Sequence, residues 1–160
     1  MGTSSVLLPF IGQQSGTDAP CGGHAAGPSW RDIIQFTEGD RWFHRLALAE
    51  DYEIWLLSWL PGQQTGFHDH GSASGAFGVA FGELRETMAA VGSTKVGQRT
   101  AAHGSVTRFG ASHLHNVGNL SAAPAVSVHA YSPPLAAMRR YEMTASGLAL
   151  VRTDWAGLDW

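Results

Sequence analysis

Residues 65–91 read TGFHDHGSASGAFGVAFGELRETMAAV. The stretch divides into three short runs, TGFHDH, GAFGVAFG and LRETMAAV, separated by glycine- and serine-bearing turns. Short runs bounded by turn residues read as β-strands. The same texture extends in both directions. Upstream, RWFHRLAL and YEIWLLSW flank the acidic turn AED, which predicts a hairpin. Downstream come TKVGQRTA, SVTRF, HLHNV and PAVSVHAYS, and then MRRYEM and LALVRTDW around a TASG turn. Turns about every eight to twelve residues predict an all-β barrel or sandwich.

Ahead of this region, residues 11–28 (IGQQSGTDAPCGGHAAGP) lack periodicity and are rich in Gly, Ala and polar residues. They predict a flexible N-terminal arm over 1–28, followed by a single domain over 29–160. Cys21 and His24 fall in the arm. Ser29 is placed to cap a short helix running to Thr37, with Trp30, Ile33, Ile34 and Phe36 turned toward the core and Gly39 ending it.

Composition bounds the function classes. The chain has 160 residues, 44% hydrophobic and 14% charged, which is globular rather than disordered. Net charge is −3 and the ten Lys and Arg residues are scattered, so neither nucleic acid nor an anionic membrane is the expected partner. No apolar run approaches a membrane span. VLLPFIG is too brief for a signal peptide, and Val6 breaks the myristoylation pattern. Cys21 is the only cysteine, so no internal disulfide forms. The expectation is a cytoplasmic protein, monomeric or weakly homo-oligomeric.

Within the opening stretch, His68 and His70 stand two residues apart. Such residues share one face of a strand, with Cα atoms roughly 6–7 Å apart. Imidazole nitrogens bind a first-row metal at about 2.0–2.1 Å, so both rings can converge on one ion. An HxH pair by itself is equally consistent with loop composition. HLHNVGN supplies His113 and His115 from a distant strand, and the order Gly62, His68, His70, Gly82, then His115 and Asn119 resembles the two motifs of the cupin superfamily. That resemblance implies a small antiparallel jelly-roll barrel with a metal on histidines from two strands.

The departures matter as well. Cupins commonly place a glutamate ligand four or five residues after the second histidine, where this chain has Ser74 and Gly75. A carboxylate-free set of His68, His70 and His115 remains. His113 shares the face of His115 and is the alternative ligand, although the His-x3-Asn spacing favours His115. Three imidazoles leave a divalent ion its full charge and open positions. Zinc would then suit hydrolysis and ferrous iron would suit O2 chemistry.

In Ser127-Val128-His129-Ala130-Tyr131 the polar residues alternate with apolar ones and share one face. If that face is interior, the three groups must hydrogen-bond one another. If it is exterior, Val126, Val128 and Ala130 form the core side.

PGQQTGFHDHGSASGAFGVAFGELRET, HLHNVGN and APAVSVHAYSPPLAAM taken together resemble bacterial cysteine dioxygenases, the thiol dioxygenase group of cupins, from about Arg41 to Tyr141. The resemblance implies one Fe(II) per chain on His68, His70 and His115, and conversion of L-cysteine and O2 to cysteine sulfinic acid. It also implies a Ser127–His129–Tyr131 relay with Tyr131 beside the substrate. Arg45 matches the arginine that clamps the substrate carboxylate, with Arg41 as the fallback. A related branch acting on 3-mercaptopropionate has glutamine at that position, so Arg45 implies L-cysteine. Animal enzymes carry a cysteine cross-linked to the tyrosine, and the matching residue here is Gly75. The alternatives are a dioxygenase for 3-mercaptopropionate or another small thiol, a non-catalytic metal-binding cupin, and a zinc hydrolase. Asp69, on the face opposite His68 and His70, is poorly placed as the base that a hydrolase requires.

Overall fold

The computed structural model describes residues 29–157. The arm expected over 1–28, with Cys21 and His24, lies outside the described residues. Ser29 caps a single helical turn, α1 (Trp30–Ile33), accepting from the Arg31 N–H at 3.3 Å while Asp32 accepts from the Ser29 N–H at 2.9 Å. The helix expected through Thr37 instead stops at Ile33, and Ile34 is already extended at φ −63°, ψ 137°. Two consecutive isoleucines lose rotamer freedom in a helix, and one turn makes too few hydrogen bonds to offset nucleation. Trp30, Ile33 and Ile34 do pack on the core, but Phe36 is 43% exposed.

Eleven strands follow: β1 (Phe43–Leu48), β2 (Glu53–Trp59), β3 (Phe67–His68), β4 (Ser74–Phe81), β5 (Glu83–Ala89), β6 (Val96–Ala102), β7 (Val106–Phe109), β8 (Leu114–Gly118), β9 (Ala125–Ser132), β10 (Ala137–Thr144) and β11 (Gly147–Trp155). Both expected hairpins form, β1 with β2 and β10 with β11, and the pairing of β1 slips at a bulge between Arg45 and Ala47. The strands make two antiparallel sheets, ordered β1-β2-β9-β4-β7 and β11-β10-β3-β8-β5-β6. Among the described residues no helix is long and apolar enough to cross a membrane.

The main core is drawn from both sheets and includes Trp59, Phe77, Leu84, Val117 and Tyr131. A second cluster sits on the other side of the first sheet, where Ile54, Leu56, Val126, Val128 and Ala130 are covered by Trp30, Ile33, Trp42 and Leu46. Strand β9 is therefore buried on both faces. Its valine face meets the segment leading into β1, and its Ser127–His129–Tyr131 face turns into the space between the sheets. The alternation of β9 marks two distinct faces. Which one borders the site depends on which neighbouring segment covers each.

Candidate active site

His68 on β3 lies directly opposite His115 on β8, and His70 follows two residues beyond His68. Their ligating atoms all fall within 4.8 Å of one another. All three residues are buried, and their ring centroids stand 4.9, 4.8 and 5.0 Å apart. His68 Nδ1 is 3.0 Å from the Gly66 carbonyl and His115 Nδ1 is 2.7 Å from Glu86 Oε1. Both acceptors hold the ring proton on Nδ1 and leave Nε2 with its lone pair. Both ring nitrogens of His70 are buried without any hydrogen-bond partner. Buried polar atoms are almost always paired, so an orphaned imidazole beside two others is what an absent ligand would leave. Burial holds the pKa of His68 and His70 well below the ordinary histidine range and lowers that of His115, so all three are neutral, the form that ligates metal. The set fits a metal ion.

Glu86 on β5 is a member of this site that sequence reasoning missed. Its side chain is fully buried, and Oε1 accepts from His115 Nδ1 and from His113 Nε2, each at 2.7 Å. Arg99 donates to its other oxygen. Burial alone would raise the Glu86 pKa, but hydrogen bonds from His113, His115 and Arg99 outweigh it and hold the carboxyl well below the usual range. His113, the alternative ligand, thus caps Glu86 and stays outside the His68–His70–His115 group; with Glu86 and His115 it forms a second potential ligand set. The Arg99 cation already occupies that carboxylate. A signal was present in the sequence: Glu86 stands between Leu84 and Met88 in the apolar phase of β5, where a charge needs a reason.

On β9, Ser127 Oγ lies 2.9 Å from His129 Nε2, and the Tyr131 hydroxyl makes a longer contact, 3.4 Å, with His129 Nδ1. Trp59, whose part the sequence did not suggest, donates its indole N–H to Ser127 Oγ at 2.8 Å. Burial lowers the His129 pKa to about 3 and raises that of Tyr131, so the imidazole is neutral and the phenol keeps its proton.

A cavity of about 210 Å³ opens beside these groups. His68, His115, His129 and Tyr131 border it, with Arg41, Phe43, Leu135, Met138 and Arg140 among the other lining residues. Arg41 precedes β1; its guanidinium carbon lies 5.4 Å from the Trp59 ring centroid, and its Nε is buried without a partner. Arg45 does not line the cavity. Its side chain is 47% exposed, 3.9 Å from Glu53 Oε2 and above the Trp55 ring at 5.3 Å. Arg140 is already engaged with Asp154 at 2.6 Å and the Thr65 carbonyl at 3.3 Å. Asp69 is turned away into a bond from the Tyr141 hydroxyl at 2.7 Å and an ion pair with Arg139. It offers no base to the metal site.

Residues 23–144 match the family model described as cysteine dioxygenase type I, well over half of the chain. The chain belongs to that family. Membership makes it a dioxygenase-type enzyme whose reactants are a small molecule and O2. No curated protein matches the sequence. Among solved structures, an RmlC-like cupin from Desulfovibrio desulfuricans is similar at TM-score 0.57 and 19% identity, covering 69% of this chain and 99% of that one. A conserved protein with a double-stranded β-helix domain from Klebsiella pneumoniae is similar at TM-score 0.55 and 17% identity, covering 76% and 93%. At such identities the likeness concerns the fold alone, and the two sheets are those of a cupin.

In this cysteine dioxygenase family member, Gly75 is the cross-strand neighbour of Tyr131. A Cβ at position 75 would meet Phe109 Cε2 and Cζ at 2.7 Å and the Ala130 carbonyl oxygen at 2.8 Å. Phe109 has no room to retreat, because its ring stacks on His70 at 4.7 Å and on His113 at 5.2 Å. Phe109 thus fills the space that a side chain on Gly75 would need. Gly75→Ala is expected to cost about 1–3 kcal/mol through overpacking. Thermal unfolding of the purified variant checks this, and an unchanged midpoint would mean the Phe109 ring yields freely.

Proposed function

We propose that this protein is a non-haem iron thiol dioxygenase of the cytoplasm that converts L-cysteine and O2 to cysteine sulfinic acid. One observation carries the reading: two of the three convergent histidines, Tyr131 and Arg41 all line the same cavity. His68, His70 and His115 would hold one Fe(II). When bound, the iron would supply a centre at which the thiol sulfur and O2 meet; both oxygen atoms end on sulfur, whose four-electron oxidation balances the reduction of O2, so no further reductant is needed. Three neutral imidazoles bring no charge of their own, which favours an anionic thiolate as the incoming group. Arg41, with an unpartnered Nε–H in a largely desolvated position, is suited to hold the substrate carboxylate by charge-assisted hydrogen bonds. Tyr131 presents a protonated hydroxyl at the same wall, and Phe43, Leu135 and Met138 limit water around the reacting sulfur.

The second reading is a dioxygenase for 3-mercaptopropionate. The observation favouring it is that Arg45, from which the preference for L-cysteine was inferred, lies outside the cavity lining. Oxygen uptake by anaerobically iron-loaded protein, with L-cysteine or 3-mercaptopropionate and with sulfinate products quantified, separates the two. Cysteine sulfinic acid from rapid uptake is the expected result. Preference for 3-mercaptopropionate would keep the chemistry and change the substrate. No uptake at full iron occupancy would make the protein a non-catalytic metal-binding cupin. In the same assay Tyr131→Phe is expected to lower kcat roughly 100-fold with iron retained, since one donor aimed at developing charge is worth about that much.

A further inference from the structure

Arg41 lines the cavity without a polar tie of its own. Its guanidinium makes no hydrogen bond among the described residues, and its carbon lies 5.4 Å from the Trp59 ring centroid. Its placement therefore depends on the backbone of the segment before β1. Ser58 holds that segment at two points, donating from Oγ to the Gln35 carbonyl and from its N–H to the Trp42 carbonyl. Between these points the chain turns through Gly39, at φ 81°. Gln63, in the turn that follows β2, spans the gap. Its Nε2 donates to the Thr37 carbonyl at 2.8 Å and to the Gly39 carbonyl at 3.0 Å, while its Oε1 accepts from the Leu60 N–H at 2.7 Å. A primary amide has two N–H donors, and both are spent on the turn before Arg41. The reversed amide would set its oxygen against two carbonyls, so one orientation alone satisfies all three partners.

Gln63 is itself anchored at its other end. Its carbonyl accepts from the Asn119 N–H at 2.9 Å, and the Asn119 carbonyl accepts from the Gly62 N–H at 2.8 Å. Asn119 is fully buried and directly follows β8, the strand that carries His115. A hydrogen-bonded path thus runs from the end of the His115 strand through Asn119 and Gln63 to the turn that presents Arg41. We infer that Gln63 is a positioning residue: it holds Arg41 at a fixed span from the histidine cluster and so selects the separation of thiol and carboxylate in the substrate. The inference rests on the role proposed above for Arg41. L-Cysteine and 3-mercaptopropionate both carry sulfur on the carbon β to the carboxylate, so one span serves either substrate. A freed turn would let Arg41 follow carboxylates at other distances, with an ordering cost at each binding event.

The test is equilibrium binding rather than turnover. Full-length protein loaded with zinc, which takes thiolate ligands without redox chemistry, is titrated calorimetrically with 3-mercaptopropionate, 4-mercaptobutyrate and 2-mercaptoethanol. Wild type is expected to bind 3-mercaptopropionate most tightly. Gln63→Met should weaken that affinity roughly 5- to 30-fold, the cost of re-ordering about one backbone residue. It should leave 2-mercaptoethanol within about twofold and narrow the preference over 4-mercaptobutyrate. In an Arg41→Met background the same change should add nothing, because coupled residues are not additive. A merely structural role would weaken all three thiols alike and add in the double variant, which overturns the inference. An unchanged affinity in Gln63→Met, or a wild type indifferent to chain length, overturns it as well. If Gln63→Met does not fold, Gln63→Ala, which admits water to the freed backbone groups, must give the same pattern. Arg41→Met without effect on 3-mercaptopropionate would refute the role of Arg41 and this inference together. A large effect there with none in Gln63→Met would refute this inference alone. Wild-type protein that shows the full binding pattern but forms no sulfinate when iron-loaded would refute the proposed function and leave this inference standing.

Discussion

His70→Leu is expected to abolish metal binding and turnover while stabilising the metal-free protein by about 1–2 kcal/mol. The two effects have one cause. His70 is buried with both ring nitrogens unpartnered, and its ring stacks against Phe109. In the metal-free fold those nitrogens have lost their hydration and gained nothing, which leucine would relieve. For a chain of this size the gain corresponds to a rise of roughly 2–8 °C in Tm. Metal analysis after iron loading and calorimetry of the metal-free protein test both halves. Full iron occupancy in the variant would remove His70 from the ligand set. A large loss of metal-free stability would mean that the imidazole serves the fold. His115→Ala should behave differently, because His115 Nδ1–H serves Glu86 and its removal leaves a buried carboxylate one donor short. That variant should lose metal and stability together.

Arg41→Met should reduce kcat/KM for a carboxylate-bearing thiol by about 30- to 5,000-fold, and Arg45→Gln by no more than a few-fold. The distinction follows from placement. Arg41 lines the cavity with its Nε buried and unpartnered, so a bound carboxylate would meet a cation that water screens poorly. Losing one partner of a desolvated charge pair typically costs about 2–5 kcal/mol. Arg45 is about half exposed and already faces Glu53, a setting in which charge pairs contribute about 0–1 kcal/mol. Steady-state kinetics on both variants, with iron content measured in parallel, decides the matter. A larger defect in Arg45→Gln would return the clamp to the position that the family resemblance suggested. A neutral thiol such as 2-mercaptoethanol should be used equally by wild type and Arg41→Met if the arginine reads the carboxylate alone.

Much of this protein could be read along the chain because the relevant information is local. Strand-length runs and glycine-bearing turns place the strands, and the two hairpins follow from their intervening turns. Spacing of i, i+2 puts Ser127, His129 and Tyr131 on one face, and the HxH and His-x3-Asn patterns, through their resemblance to the cupin motifs, point to His68, His70 and His115. The helix is shorter than its sequence predicts because a capping serine announces where a helix starts, while its end depends on what the following residues gain by leaving it. Ser58, for example, donates to the Gln35 carbonyl and engages the chain just beyond α1.

Other features belong to the tertiary structure because they depend on which strands become neighbours. Alternation on β9 cannot say which face is interior when both are covered, and here the segment from Trp30 to Ala47 covers the second. Glu86 enters the site only because β5 pairs with β8, bringing its carboxylate to His115. Arg41 stands in the cavity in place of Arg45 because the path of the chain before β1, tied by the Ser58 N–H to the Trp42 carbonyl, is not set by strand periodicity. Trp59 reaches Ser127 across the pairing of β2 with β9, 68 residues away in sequence. Sequence spacing determines which side chains share a face. Only the packing of distant strands determines what that face meets.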